Sequence, residues 1–284
     1  MILGEALQSA TQTLLRKGID DASAEAEILL GSVLGMSKTR LYTEPERALT
    51  SEEISQLWSL IQRRLDHEPT AYILGHCEFY GIDLLVDCHT FIPRPETELL
   101  VEQAVELAHC ISRPGKGITI ADVGTGCGAI AVSLALALPQ AKIYATDISV
   151  QALQVAETNC QRHAVGNQVE LLQGNLLEPL SQPVDMIVAN LPYIKDCEFK
   201  DLSPEIMDFE PMSALAGGLD GLDEIQRMLE QMPGKLSREG CFLLEVGQGQ
   251  GRGVTSLVKS QFPQADIELV SDLGGVERVV KVIL

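Results

Sequence analysis

The sequence predicts an α/β protein: a doubly wound, seven-stranded mixed sheet, preceded by a small N-terminal helical bundle and a β-hairpin linker. Three observations carry this. From Ile118 onward, strand-length apolar runs alternate with helix-length stretches. A glycine-rich turn, Gly124 to Gly128, follows the first of those strands and opens a helix. The first seventy or so residues carry helical stripes and no strand pattern. The expected division is 1–74 for the bundle, 75–95 for the linker and 96–284 for the α/β domain, within the range that 284 residues allow.

Leu3, Leu7, Ala10 and Leu14 recur at helical spacing, and Lys17 and Gly18 close that stretch as basic last turn and C-cap. Ala26, Leu29, Leu30 and Val33 share a face of a second helix over 22–34. Thr50 and Glu53 form a capping-box pattern opening a helix through Leu65, with Ile54, Leu57, Trp58, Ile61 and Leu65 inward. Pro69 ends that stretch and begins a short turn over 71–74. The period then changes: 77–80, a turn at Gly81, and 82–86 read as a hairpin. Pro93 and Pro95 stiffen the chain, and Glu96 and Glu98 place acid in the first turn of a helix through His109. Strands are expected over 118–123, 141–146, 168–173, 184–189, 240–246, 265–270 and 277–283, with helices over 128–137, 149–164, 220–236 and 251–262. Only a short loop, 271–275, separates the last two strands, so one runs antiparallel in a hairpin at the sheet edge.

The net charge is −19, from 21 basic and 40 acidic residues. Such a surface repels phosphate backbones and favours a small molecule or a basic protein as partner, without direct nucleic-acid binding. The adjacent pair Arg63 and Arg64 reads as a solvated helix face. The seven cysteines show no CxxC pair and no metal spacing, so neither a disulfide framework nor a metal site is expected. The amino terminus has no signal-peptide pattern, and the longest apolar run, 129–138, is half a bilayer span; a cytoplasmic, membrane-free, monomeric protein is expected.

The glycines at 124, 126 and 128, with Thr125 and Cys127 between them, let backbone approach a ligand at a helix start. The same turn satisfies the dinucleotide fingerprint. Asp147, ending the second strand, can accept both ribose hydroxyls of an adenosine ligand. Asn175, ending the third, is placed either to read an adenine edge or to serve as a turn residue. After the strand 184–189 comes Asn190-Leu191-Pro192-Tyr193. The Asn190 amide oxygen and the Leu191 carbonyl can together hold both N–H bonds of a planar –NH2 group. Pro192 restricts Leu191 to extended backbone, and the Tyr193 face tolerates positive charge developing on nitrogen. Glu245, closing the fifth strand, reads as a sheet-edge polar residue without a catalytic part.

Glycine turn, acidic strand end and Asn-x-Pro-Tyr, in this order, resemble the Rossmann-like S-adenosylmethionine-dependent methyltransferases that act on amino or amide nitrogen. Glu68 to Gly75, Glu78 to Gly81, Ile92 to Glu98, Glu210 to Leu222 and Asp272 to Val280 resemble the release factor glutamine methyltransferase family. The resemblance implies transfer of a methyl group from S-adenosylmethionine, leaving S-adenosylhomocysteine, to the glutamine amide in the Gly-Gly-Gln loop of class I peptide-chain release factors. It assigns catalysis and substrate binding to Asn190, Leu191, Pro192 and Tyr193, with Arg94 bordering the substrate. It assigns cofactor binding to Gly124, Thr125, Gly126, Cys127, Gly128, Asp147, Asn175, Leu176, Asn190 and Phe91, and substrate recognition to the helical bundle. A purely structural role for Arg94 and Glu96 fits equally well. Cys127 is not needed by the chemistry, but its alkylation would block the site. Leu191 departs from the family's usual Asn-Pro-Pro-Tyr. Asn-Leu-Pro-Tyr is also the form of ribosomal RNA adenine N6-methyltransferases, the alternative reading, which lacks the linker motifs and calls for a basic surface.

Overall fold

The computed structural model describes residues 1–111 and 117–284, which divide into two compact units. The first comprises Met1–His76 with Ser203–Phe209, the second Cys77–Leu202 with Glu210–Leu284.

The first unit packs α1 (Leu3–Lys17), α2 (Ala22–Leu34), α3 (Lys38–Thr43), α4 (Ser51–Leu65) and α5 (Thr70–Leu74) around one apolar core. In α1 the buried stripe is Leu3, Ala6, Ala10 and Leu14, with Leu7 at its margin, and Gly18 at φ 82° closes the helix. The α4 capping box forms as expected: Glu53 N–H donates to Thr50 Oγ1 at 3.1 Å and Thr50 N–H donates to Glu53 Oε2 at 2.8 Å. Such a cap contributes about 1 kcal/mol. The Arg63–Arg64 pair is not a solvated face. Arg64 is 3% exposed and pairs with Glu25 and Glu205, while Arg63 pairs with Glu68. A buried guanidinium requires such partners, because unpaired it would carry the full cost of leaving water. Glu205 lies on a short helix of the distant segment 203–209, an element the periodicity did not show.

The second unit opens with the hairpin of β1 (His76–Phe79), whose first residue closes the first unit, and β2 (Ile82–Leu85). Its two turn residues, Tyr80 and Gly81, have φ of 50° and 72°, the positive pair that a right-twisted two-residue hairpin demands. The Tyr80 N–H is held by Glu98 Oε1 at 2.8 Å. Then follow α6 (Thr97–Ile111), β3 (Thr119–Val123), α7 (Ala129–Ala137), β4 (Lys142–Asp147), α8 (Val150–Arg162), β5 (Val169–Gln173) and β6 (Val184–Ala189). After α9 (Pro204–Phe209, in the first unit) come α10 (Asp223–Gln231), β7 (Leu236–Glu245), α11 (Gly251–Gln261), β8 (Asp266–Ser271) and β9 (Glu277–Ile283).

The seven-stranded sheet runs β5-β4-β3-β6-β7-β9-β8. Only β9 is antiparallel, inserted between β7 and β8, so the expected terminal hairpin stands at the sheet edge. The small, apolar α7 is buried on every face from Ala129 to Ala135, as its uniform sequence requires. The strand order reverses between β3 and β6. In an open α/β sheet a ligand crevice forms there, over the carboxyl ends of the strands.

Candidate active site

Three segments meet at that reversal. The first is the turn after β3, where Gly124, Gly126 and Gly128 all have positive φ. A Cβ on Gly124 would stand 3.3 Å from Leu191 Cδ2, and one on Gly128 would stand 3.2 Å from Ala156 Cβ, so tight contact adds to the positive φ in disfavouring side chains there. Nothing lies within 4 Å of the same position on Gly126, which faces open space. Asp122 braces the turn from below: its Oδ2 accepts from Thr125 Oγ1 at 2.6 Å and from Ala131 N–H at 3.1 Å. Its Oδ1 is buried without a hydrogen-bond partner among the described residues, and burial pushes the carboxyl up to about 7.

The second segment is the end of β4. Asp147 Oδ2 accepts from Gly126 N–H at 2.9 Å and Oδ1 from Ser149 N–H at 2.8 Å, tying the strand end to the glycine turn. Beside it Asn175 is half-buried. Leu176 sits at φ 53°, its carbonyl held by Thr146 Oγ1 at 2.9 Å and its side chain in the core.

The third segment is Asn190 to Tyr193, after β6. Asn190 donates from Nδ2 to Thr97 Oγ1 at 3.1 Å, leaving Oδ1 turned the other way. The Leu191 side chain is 3% exposed and anchored in the core, and its carbonyl receives no backbone hydrogen bond among the described residues. Thus Leu191 places a main-chain acceptor while filling the space against Gly124. Pro192 and Tyr193 are half-buried, and burial pushes the Tyr193 hydroxyl up to about 12. The loop is packed under two glycines: a Cβ on Gly217 would lie 2.8 Å from Tyr193 Cα, and one on Gly247 3.1 Å from Tyr193 Cδ2. Gly217 thus lets the 210–222 stretch pack directly against the Asn-Leu-Pro-Tyr loop. Ile194 bridges Ala216, through Ile194 N–H to Leu215 O at 3.0 Å and Gly217 N–H to Ile194 O at 2.8 Å.

Phe91 and Arg94 lie together. The Arg94 guanidinium stands 4.5 Å from the Phe91 ring centroid and forms an ion pair with the buried Glu210, which also accepts from Ile92 N–H at 3.4 Å. Arg94 is therefore committed to an internal partner that shapes the loop.

Several positioning residues escaped sequence reasoning. Asn159 on α8 is fully buried: it donates from Nδ2 to Leu85 O (2.9 Å) and Cys127 O (2.8 Å), and accepts from Leu85 N–H (2.8 Å). It pins hairpin and glycine turn to one helix. Gln250 donates to Tyr193 O at 2.9 Å and accepts from Gly247 N–H at 2.9 Å. A lone amide, in a helix for Asn159 or just ahead of one for Gln250, gives no sequence signal. Glu245 is not an edge residue; it is 2% exposed. Cys127 is likewise buried, its thiol pushed up by the loss of solvent, which makes it inert rather than a point of easy alkylation. No group of side chains suited to a metal ion occurs among the described residues.

Strand order, glycine turn and Asn-Leu-Pro-Tyr loop together define a methyltransferase of the Rossmann-like class. The hMettl16 catalytic domain shares the fold over 82% of this chain and 81% of its own, at a TM-score of 0.55 and 12% identity. A methyltransferase from Pyrococcus furiosus does so over 72% and 90%, at 0.51 and 15%. The methyltransferase small domain family matches residues 97–208, and the PrmC N-terminal domain family matches residues 5–75. Release factor glutamine methyltransferases match nearly end to end: that of Geobacter sulfurreducens is 37% identical over 94% of this chain and 91% of its own. That of Koribacter versatilis is 39% identical over 99% and 98%. The chain belongs to the release factor glutamine methyltransferase family.

Proposed function

We propose that the protein transfers a methyl group from S-adenosylmethionine to the side-chain amide nitrogen of the glutamine in the Gly-Gly-Gln loop of class I release factors, in the cytoplasm. The observation that carries this reading is the orientation of Asn190. With its –NH2 turned inward on Thr97, Asn190 offers Oδ1, and Leu191 offers its carbonyl. Two acceptors on one rigid loop match the two N–H bonds of a primary amide.

The residues around the crevice fit the adenosyl donor. Open space over Gly126, the Asp147 carboxylate, Asn175 and the Leu176 backbone suit a nucleoside, and the orphaned Asp122 Oδ1 lies beneath the turn as an unsatisfied acceptor. Gly124, Thr125, Cys127 and Gly128 would contribute backbone, and Phe91 an apolar border. When bound, S-adenosylmethionine supplies a methyl group on a sulfonium that leaves as S-adenosylhomocysteine.

The protein's own part is orientation. An amide nitrogen is a poor nucleophile because its lone pair is delocalised into the carbonyl. Asn190 and Leu191 hold the amide so that this lone pair faces the methyl carbon. Positioning of this kind is worth up to roughly 7–11 kcal/mol of barrier, against about 0.5–2 kcal/mol for the Tyr193 face beside the developing positive charge. The alkylated amide would carry an acidified N–H that gives its proton to water, so no side chain of the protein is needed as a general base. The helical unit, which matches the PrmC N-terminal domain family, serves to recognise the protein substrate.

The test is methyl transfer from labelled S-adenosylmethionine, with release factor and ribosomal RNA offered in parallel. Label on the protein, lost when the Gly-Gly-Gln glutamine is changed, is expected. Label on RNA alone would overturn the reading, which the net charge of −19 already disfavours.

A further inference from the structure

Beneath Asn190 lies a buried carboxylate that the transfer chemistry does not use. The parallel register of β6 and β7 pairs Ala189 with Leu244, which sets Glu245 beside Asn190. Glu245 is 2% exposed, and its Oε2 has no hydrogen-bond partner among the described residues. The hydroxyl of Thr97, the first residue of α6, and the amide of Asn190 are the neighbouring dipoles that favour its ionised form. An acid buried this deeply is costly to the fold unless another gain offsets it.

We propose that Glu245 is a positioning residue for methyl transfer: as an acceptor-only group behind Thr97 and Asn190, it turns the Asn190 –NH2 inward and so presents Oδ1 to the substrate amide. The inference rests on the methyl-transfer reading of the site. An ionised carboxylate has no proton to give, so both neighbours must aim donors at it. Thr97 then directs its O–H toward Glu245 and leaves its oxygen to accept from Asn190 Nδ2, the 3.1 Å contact observed. With a donor in place of the carboxylate, the Asn190 amide gains an equally good inverted orientation. Inverted, it opposes its –NH2 to the –NH2 of the substrate.

Burial pushes the Glu245 carboxyl up to about 7, against the opposing pull of Thr97, Arg278 on β9 and Asn190. Glu96, ahead of α6, pushes it further up, and Tyr193 is the remaining titratable group that faces it among the described residues. Arg278 is itself shared with Asp272 and Glu96. Protonation would convert Glu245 into a donor and release the constraint.

The experiment compares wild type, Glu245→Gln, Thr97→Ser and Thr97→Val for methyl transfer to release factor and for S-adenosylhomocysteine affinity by calorimetry. Glu245→Gln should lower kcat roughly 10–100-fold, with affinity for S-adenosylhomocysteine within about twofold and the acid limb of the kcat–pH profile gone. Thr97→Ser should retain the wild-type rate and profile, whereas Thr97→Val should fall with Glu245→Gln. An active wild type with Glu245→Gln equally active, or with rate and affinity lost in parallel, overturns the proposal. A wild type that methylates no release factor overturns the reading of the site and the proposal with it.

Discussion

Replacing Asn159 by Leu removes three hydrogen bonds from one buried amide and should loosen hairpin and glycine turn together. The two bonds to Leu85 are partly buried, and the bond to the Cys127 carbonyl is fully buried. A partly buried bond contributes about 0.5–1 kcal/mol, and a buried carbonyl left without a donor costs about 1–3 kcal/mol. The sum is about 2–5 kcal/mol, a large fraction of a domain's net stability. The sole tryptophan, Trp58, lies in the other unit, so fluorescence would report the wrong transition. Urea unfolding of the α/β unit should therefore be followed by far-UV circular dichroism, with hydrogen exchange at the Leu85 N–H as the local probe. Leu85 exchange should accelerate, and S-adenosylhomocysteine should bind more weakly as the Cys127 carbonyl is released. Asn159→Asp should be worse than Asn159→Leu, because a carboxylate oxygen would then face two carbonyls. Unchanged unfolding and exchange in both variants would refute the assignment of Asn159 as the tie.

Asn190→Ala should cut kcat by roughly 100-fold or more while leaving S-adenosylhomocysteine affinity nearly intact; equal loss of both, measured by single-turnover kinetics and calorimetry, would contradict its orienting role. Asp122 and Glu245 both titrate near 7 in the folded protein, well above the unfolded value near 4, so the folded state binds their protons more tightly. Their penalty is fully present above about pH 7 and is relieved as pH falls toward about 4. Glu245→Gln should accordingly stabilise the α/β unit by on the order of 3 kcal/mol at pH 8, with the gain shrinking by pH 5; a stability loss at pH 8 would show Glu245 to be structural. Iodoacetamide at pH 8 should modify the exposed Cys88, Cys110 and Cys197 before Cys127, Cys160 and Cys241, whose thiols burial pushes up; peptide mapping that finds Cys127 modified first would contradict its burial.

The strand alternation, the glycine turn and the Asn-Leu-Pro-Tyr loop were legible because each leaves a local pattern: period two or 3.6, positive φ, or a proline constraint. The sheet edge was legible because a five-residue loop cannot carry a parallel crossover. What sequence did not show depends on pairings between distant segments. Arg64 reads as surface until Glu205, in a helix far along the chain, is found beside it. Asn159 resembles any helical amide, and Gln250 any residue ahead of a helix, until their carbonyl partners are placed. Glu245 reads as an edge residue because β9, which covers β7 on that side, comes later in the chain than the strand it shields. Leu191 departs from the usual proline, and its buried side chain against Gly124 shows what that position does besides offering a carbonyl.

Where the methyl group lands is decisive. Release factor incubated with the enzyme and S-adenosylmethionine, then digested and fragmented by tandem mass spectrometry, should carry one methyl group on the side-chain nitrogen of the Gly-Gly-Gln glutamine, formed roughly 100-fold more slowly when Asn190→Ala is used. A methyl group on any other residue, or on that glutamine undiminished in Asn190→Ala, would contradict an amide held by Asn190 and Leu191.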